Sequence, residues 1–111
     1  LLQKKIIVKD FICLDVGAST GGFTQVLLQH GAKKIIALDV GTSQLHETLR
    51  AESRVISIEN TDIRNVKLED KFDIIVVDVS FISLRKIIPT LIELKSENTE
   101  LILLFKPQFE V

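Results

Sequence analysis

The sequence is poor in the residues on which several kinds of chemistry depend. A single cysteine, Cys13, stands among 111 residues, which excludes an intramolecular disulfide and fits a reducing compartment. Placed in an apolar run, it reads as a small buried hydrophobe rather than a nucleophile. The two histidines, His30 and His46, are too isolated to form a metal site with it, and none is expected. No apolar run approaches the roughly 18 residues of a membrane span and no signal peptide is visible, so a soluble cytoplasmic protein without a membrane partner is the expectation. Basic charge is in no excess. Lys and Arg number 14 against 15 Asp and Glu, for a net charge of −1, so no global field announces a nucleic acid, and the clusters at Lys4, Lys5 and Lys9 and at Lys33 and Lys34 read as solvated surface. Repeats and low-complexity segments are lacking. Methionine is missing even at the first position, and an apolar run lies close to the last residue, so the sequence reads as the core of something longer.

What is present suffices for one domain with a real core: 46% hydrophobic and 26% charged residues are an ordinary globular composition. The chain is organised around DVGASTGGFT at residues 15–24, which follows an apolar strand-like run and leads into a helix-like one. Glycine at such a turn permits positive φ and lets a ligand approach the backbone. A tight turn that binds nothing is the plain alternative. The spacing is Gly-x-x-x-Gly-Gly, whereas a dinucleotide turn reads G-x-G-x-x-G and seats a pyrophosphate on the helix N-terminus. Ser19 stands where the middle glycine of that pattern belongs, and Asp15, which would repel a phosphate, would attract an ammonium group. An adenosine-type cofactor with an amino acid end, S-adenosyl-L-methionine, fits better than NAD, and the stretch resembles motif I of class I methyltransferases. Asp15, Gly17, Ala18, Ser19, Gly21 and Gly22 are the loop's candidate cofactor contacts.

Strand and helix patterns alternate along the rest. Strands are expected at 11–16, 34–39, 55–58, 72–79 and 101–105. Helices are expected at 22–30, with Gly31 as its C′ residue, after a cap at Thr42 or Ser43 with Leu45 and Leu49 facing inward, and between 83 and 94. Pro89 either kinks the last helix or opens it after an irregular lead-in. Residues 59–70 read as a polar loop. The continuous β-branched run 74–77 is the pattern of a central parallel strand. The fold class is therefore α/β, a Rossmann-like parallel sheet with right-handed crossovers and helices on both faces, five strands in the order 3-2-1-4-5.

In such sheets ligands bind beyond the carboxyl ends of the strands, and the unusual residues gather there. Asp39, about twenty residues past the glycines, is placed to accept hydrogen bonds from ribose hydroxyls, although a turn-forming aspartate before Gly41 reads the same way. Asp62 is a candidate acceptor for an adenine amino group, or an ordinary loop aspartate. Asp78 ends the most apolar strand, where a carboxylate is costly unless paired or used, and Lys106 follows another such strand. That pair is either a structural salt bridge or brackets a reacting hydroxyl.

Four stretches, at 15–24, 39–45 (DVGTSQL), 77–83 (VDVSFIS) and 106–111 (KPQFEV), resemble the TlyA-type, or haemolysin A, proteins, a branch of the FtsJ-like RNA methyltransferases. The resemblance implies S-adenosyl-L-methionine-dependent methylation of the ribose 2′-hydroxyl of cytidine in ribosomal RNA, with ribosomal subunits as partners. It also implies a Lys-Asp-Lys-Glu catalytic tetrad, in which Asp78 matches the aspartate and Lys106 the second lysine. Lys4 and Lys5 lie too close to the first strand to supply the first lysine, and Glu110 belongs to a different motif. The family's N-terminal S4-like RNA-binding domain and its last strands are not matched, so residues 1–111 are expected to be a cofactor-binding core that is inactive alone. A nicotinamide-dependent oxidoreductase is the rival enzyme, opposed by the missing middle glycine. A membrane-active haemolysin is the rival of another class, opposed by the lack of a spanning helix or repeated amphipathic strands.

Overall fold

Strands that are apolar at nearly every position must be covered on both faces, and the chain folds accordingly. The computed structural model describes residues 8–42 and 44–104. Within them lie β1 (Ile12–Val16), α1 (Gly22–Gln29), β2 (Lys34–Leu38), α2 (Glu47–Arg50), β3 (Val55–Ile58), a 3-10 turn (Ile63–Asn65), β4 (Ile74–Asp78), α3 (Phe81–Leu94) and β5 (Glu100–Leu104). The strands form one parallel sheet in the order β3-β2-β1-β4-β5, as expected. Val16 at the end of β1 is level with Leu38 on one side and Val77 on the other, so three strand ends finish at one height.

Because successive strand side chains point to opposite faces, the core divides into two layers. Cys13, Ile35, Ala37, Ile74 and Val76 face Leu27 of α1 and Leu49 of α2. Leu14, Ile36, Ile75 and Val77 face Leu84, Ile87 and Leu91 of α3 together with Ile63 of the 3-10 turn. Burial pushes the Cys13 thiol up to about 12, with the carboxylates of Asp73 and Asp15 adding to it, so the thiol stays protonated and acts as core.

Differences from expectation fall at element ends and have local causes. The second helix starts later than Thr42 or Ser43 would place it. His46 is its N-cap, its Nδ1 accepting from Thr48 N at 3.2 Å, because the chain before it is tied down elsewhere: Gly41 N donates to Asp39 Oδ1 at 2.8 Å and His46 N to the Thr20 carbonyl at 3.0 Å. Leu45 is buried ahead of the helix and Leu49 within it. α3 begins at Phe81, where Ser80 caps it by accepting from Ser83 N at 3.2 Å, so Pro89 lies inside a helix already under way rather than opening one. Pro89 is exposed, and burial of Leu84, Ile87 and Leu91 against the sheet offsets the roughly 3 kcal/mol an interior proline costs. The polar loop 59–70 carries the 3-10 turn, held by the buried Ile63. The readings at Lys4, Lys5, Ser43, Lys106 and Glu110 lie outside the described residues. None of the described helices is long and apolar enough to cross a membrane.

Candidate functional site

The strand order reverses between β1 and β4. β1, β2 and β3 proceed outward in one direction and the chain then crosses back to place β4 and β5 on the other side, so the loops leaving β1 and β4 diverge and open a crevice at their carboxyl ends. The loop after β1 must start by passing very close to β4. Gly17 has φ +81, and a Cβ there would run into the Asp78 carbonyl oxygen and Val79, so only glycine fits. Gly17 N and Ala18 N both donate to the Leu38 carbonyl, at 2.8 and 3.0 Å, which turns the loop over β2. There Ser19, at φ 53, donates its N–H to Asp39 Oδ2 at 2.6 Å.

A cavity of about 470 Å³ lies in this crevice, within the size range of small-molecule sites. Asp39, Asp62 and Asp78 bring carboxylates to it from three strand ends or the loops after them, Gly17 and Ser19 contribute the loop, and Val16, Leu38, Val40 and Ile63 give it apolar walls. Five of the residues singled out in the sequence thus converge. Asp15, Ala18, Gly21 and Gly22 do not line the cavity. Gly21, at φ +105, leaves no room for a side chain because Leu45 and Leu49 pack against it, so its task is to seat the turn on the second helix.

Asp15 has a different environment from the other carboxylates. It points to the α1 side of the sheet, is 1% exposed, and accepts at Oδ2 from the hydroxyl of the equally buried Thr24 at 2.7 Å. Oδ1 is buried with no hydrogen-bond partner. Burial raises its pKa from 3.8 to about 6; the Thr24 bond opposes this, and the charges of Asp78 and Asp39 add to it. Asp62 is the reverse case. Arg64 donates to Oδ1 from its backbone N at 2.9 Å and from Nε at 3.1 Å, and to Oδ2 from Nη2 at 2.8 Å. These bonds hold the Asp62 pKa down at about 2.

Sequence reasoning missed Arg64 and Lys86, the two cations that line the cavity among the described residues, and the hydroxyls of Ser80 and Ser83. Ser80, Ser83 and Lys86 recur at helical spacing along the first turns of α3, a signal that becomes readable only once the helix is known to start at Phe81. Arg64 gave no signal beyond its distance of two residues from Asp62.

These acceptors suit a ligand with hydroxyl and amino donors and positive charge, and the apolar walls suit a flat ring. Comparison with known proteins agrees in kind. The FtsJ-like methyltransferase family matches residues 1–111. The chain is 52% identical over 111 residues, all of its own length and 43% of the relative's, to the 23S rRNA (cytidine-2′-O)-methyltransferase TlyA of Campylobacter jejuni. It is 50% identical over 109 residues, 95% of its length and 45% of the relative's, to the protein named Hemolysin A of Brachyspira hyodysenteriae. Among solved structures, a hemolysin-named protein of Streptococcus thermophilus superimposes with a TM-score of 0.84 at 44% identity, over 96% of this chain and 40% of that one. The chain therefore spans less than half the length of the relatives it matches. Over the length it does span, it belongs to the FtsJ-like methyltransferase family.

Proposed function

We propose that the chain is the cofactor-binding part of an S-adenosyl-L-methionine-dependent enzyme that methylates the ribose 2′-hydroxyl of cytidine in ribosomal RNA. The observation that carries this reading is the meeting of three carboxylates, Asp39, Asp62 and Asp78, with an apolar wall beyond the carboxyl ends of the strands. The names of the relatives support the acceptor. S-adenosyl-L-methionine, when bound, supplies an electrophilic methyl group on a sulfonium centre. In this reading Asp39 accepts from ribose hydroxyls, Asp62 from the adenine amino group, and the apolar wall of Val40 and Ile63 covers the ring. Asp78 lies at the reacting end, where with Lys106 it orients the acceptor hydroxyl; Lys106 stabilises the charge developing on that oxygen or, when neutral, accepts its proton. Asp15 acts through the loop: its carboxyl holds Thr24 at the start of α1 and adds negative potential beneath the site. A nicotinamide cofactor is disfavoured, since the Ser19 N–H that would face a pyrophosphate is committed to Asp39.

The test is methyl transfer from labelled S-adenosyl-L-methionine to ribosomal RNA by the full-length protein, with the modified nucleotide mapped. The reading expects a 2′-O-methylcytidine, and loss of transfer in Asp78→Asn with retention of cofactor binding. Label on a base, or full activity in Asp78→Asn, would refute it.

A further inference from the structure

We propose that Arg64 is a positioning residue for Asp62, and that the pair selects a ring bearing an exocyclic amino group, as adenine does, over one bearing an oxo group in its place. The inference rests on the adenosyl reading of the cavity given above.

The backbone here is fixed from below. Ile63 is 3% exposed and sits in the core layer under α3, so its neighbours Asp62 and Arg64 both reach the cavity. Asp62 caps the 3-10 turn, and capping needs only one acceptor, the bond from Arg64 N to Oδ1. The guanidinium adds two more, Nε to Oδ1 and Nη2 to Oδ2. A planar fork on a planar carboxylate fixes the carboxylate's plane as well as its position. A carboxylate offers about four lone-pair sites, so three are taken and the one remaining is on Oδ2. An exposed ion pair between residues so close in sequence adds little to stability, which leaves orientation as its main consequence.

The charge state follows from the same contacts. Arg64, with a smaller contribution from Lys86 on α3, holds Asp62 far on the ionised side. An ionised carboxylate only accepts hydrogen bonds. It welcomes an amino N–H and repels a carbonyl oxygen at the same place, and a site built around such a bond discriminates strongly against a ligand that cannot make it.

The experiment is calorimetric titration of the full-length protein at pH 7.5 with S-adenosylhomocysteine and with its deaminated analogue S-inosylhomocysteine, for the parent, Asp62→Asn, Arg64→Lys and Arg64→Ala. The parent should prefer the adenosyl ligand at least tenfold. Asp62→Asn, whose amide can donate to an oxo group, should abolish the preference. Arg64→Ala should bring the ratio within threefold and Arg64→Lys, a point charge without the fork, to an intermediate value. A merely structural role for Arg64 would weaken both ligands alike and leave the ratio at the parent value, and that result overturns the inference. Should Arg64→Ala fail to fold, Arg64→Lys decides on the same criterion. A parent that binds neither ligand refutes the adenosyl reading itself, whereas one that binds both equally refutes only the selectivity.

Discussion

Replacing Asp15 by Asn removes a charge that the fold accommodates badly, and the size of the effect follows from the structure. The carboxyl is 1% exposed, its Oδ1 has no hydrogen-bond partner, and the carboxylates of Asp78 and Asp39 add to the effect of burial. A pKa of about 6 in the folded chain against 3.8 ordinarily corresponds to roughly 3 kcal/mol of instability once the group is ionised. The sign is set by proton binding. Between about pH 4 and 6 the folded chain holds a proton that the unfolded chain has released, so stability from this group is fully present below the unfolded value and is lost as pH rises through the folded one. Asn keeps an oxygen to accept from Thr24 and places an amide where Oδ1 stood, beneath the other carboxylates. Asp15→Asn should therefore be more stable than the parent by about 1–3 kcal/mol at pH 7.5, with the advantage shrinking toward zero near pH 4. Urea unfolding of both proteins across pH 4–8 measures it, and comparing the two cancels the other titrating groups. An advantage that does not change with pH, or a variant less stable than the parent at pH 7.5, would refute the reasoning.

Gly17→Ala should lose about 3 kcal/mol or more, since the new Cβ meets both a positive φ and the Asp78 carbonyl; denaturant unfolding checks it, and a loss under 1 kcal/mol would mean the β1 and β4 ends yield easily. Asp39→Ala should weaken S-adenosylhomocysteine binding at least tenfold. Its carboxylate would be lost to the ribose, and the loop would also lose the clamps at Ser19 N and Gly41 N. Calorimetric affinity within twofold of the parent would count against Asp39 as a ligand contact.

The sheet was legible because its signal is dense. The run at 74–77 names a strand buried on both faces, and the alternation of the strand patterns at 11–16, 34–39 and 55–58 with helical segments leaves few topologies. The carboxylates at strand ends were legible for the same reason: a charge closing an apolar run is conspicuous. Helix starts were less so. Thr42 is a better cap by residue type than His46, yet the Asp39 turn ties down Gly41 just before it and the helix starts only at Glu47. Asp15 looked like its neighbours in the sequence, since nothing local says which face of a strand a side chain takes at its last turn. Only the pairing with Thr24, nine residues on, places it on the α1 side. Arg64 and Lys86 were hidden by ordinariness, as charged residues on a loop and a helix are solvated in most cases, and only the closing of the crevice makes these two part of a site.

The acidity of the crevice connects stability to binding. Asp39, Asp62 and Asp78 line the cavity and Asp15 lies buried beneath it, with Arg64 and Lys86 as the cations that line it among the described residues. At Asp15 the charges of Asp78 and Asp39 add to the effect of burial in disfavouring ionisation. That penalty sits at the end of β1, beside the crevice. A ligand carrying positive charge to that end relieves it, and anything that binds the folded chain alone stabilises it by mass action. It follows that the midpoint gain from a cationic adenosyl ligand, relative to that from a neutral one at the same concentration, should grow as pH rises through about 6, and that Asp15→Asn should narrow this growth. That narrowing would trace the effect to Asp15 rather than to the carboxylates that line the cavity.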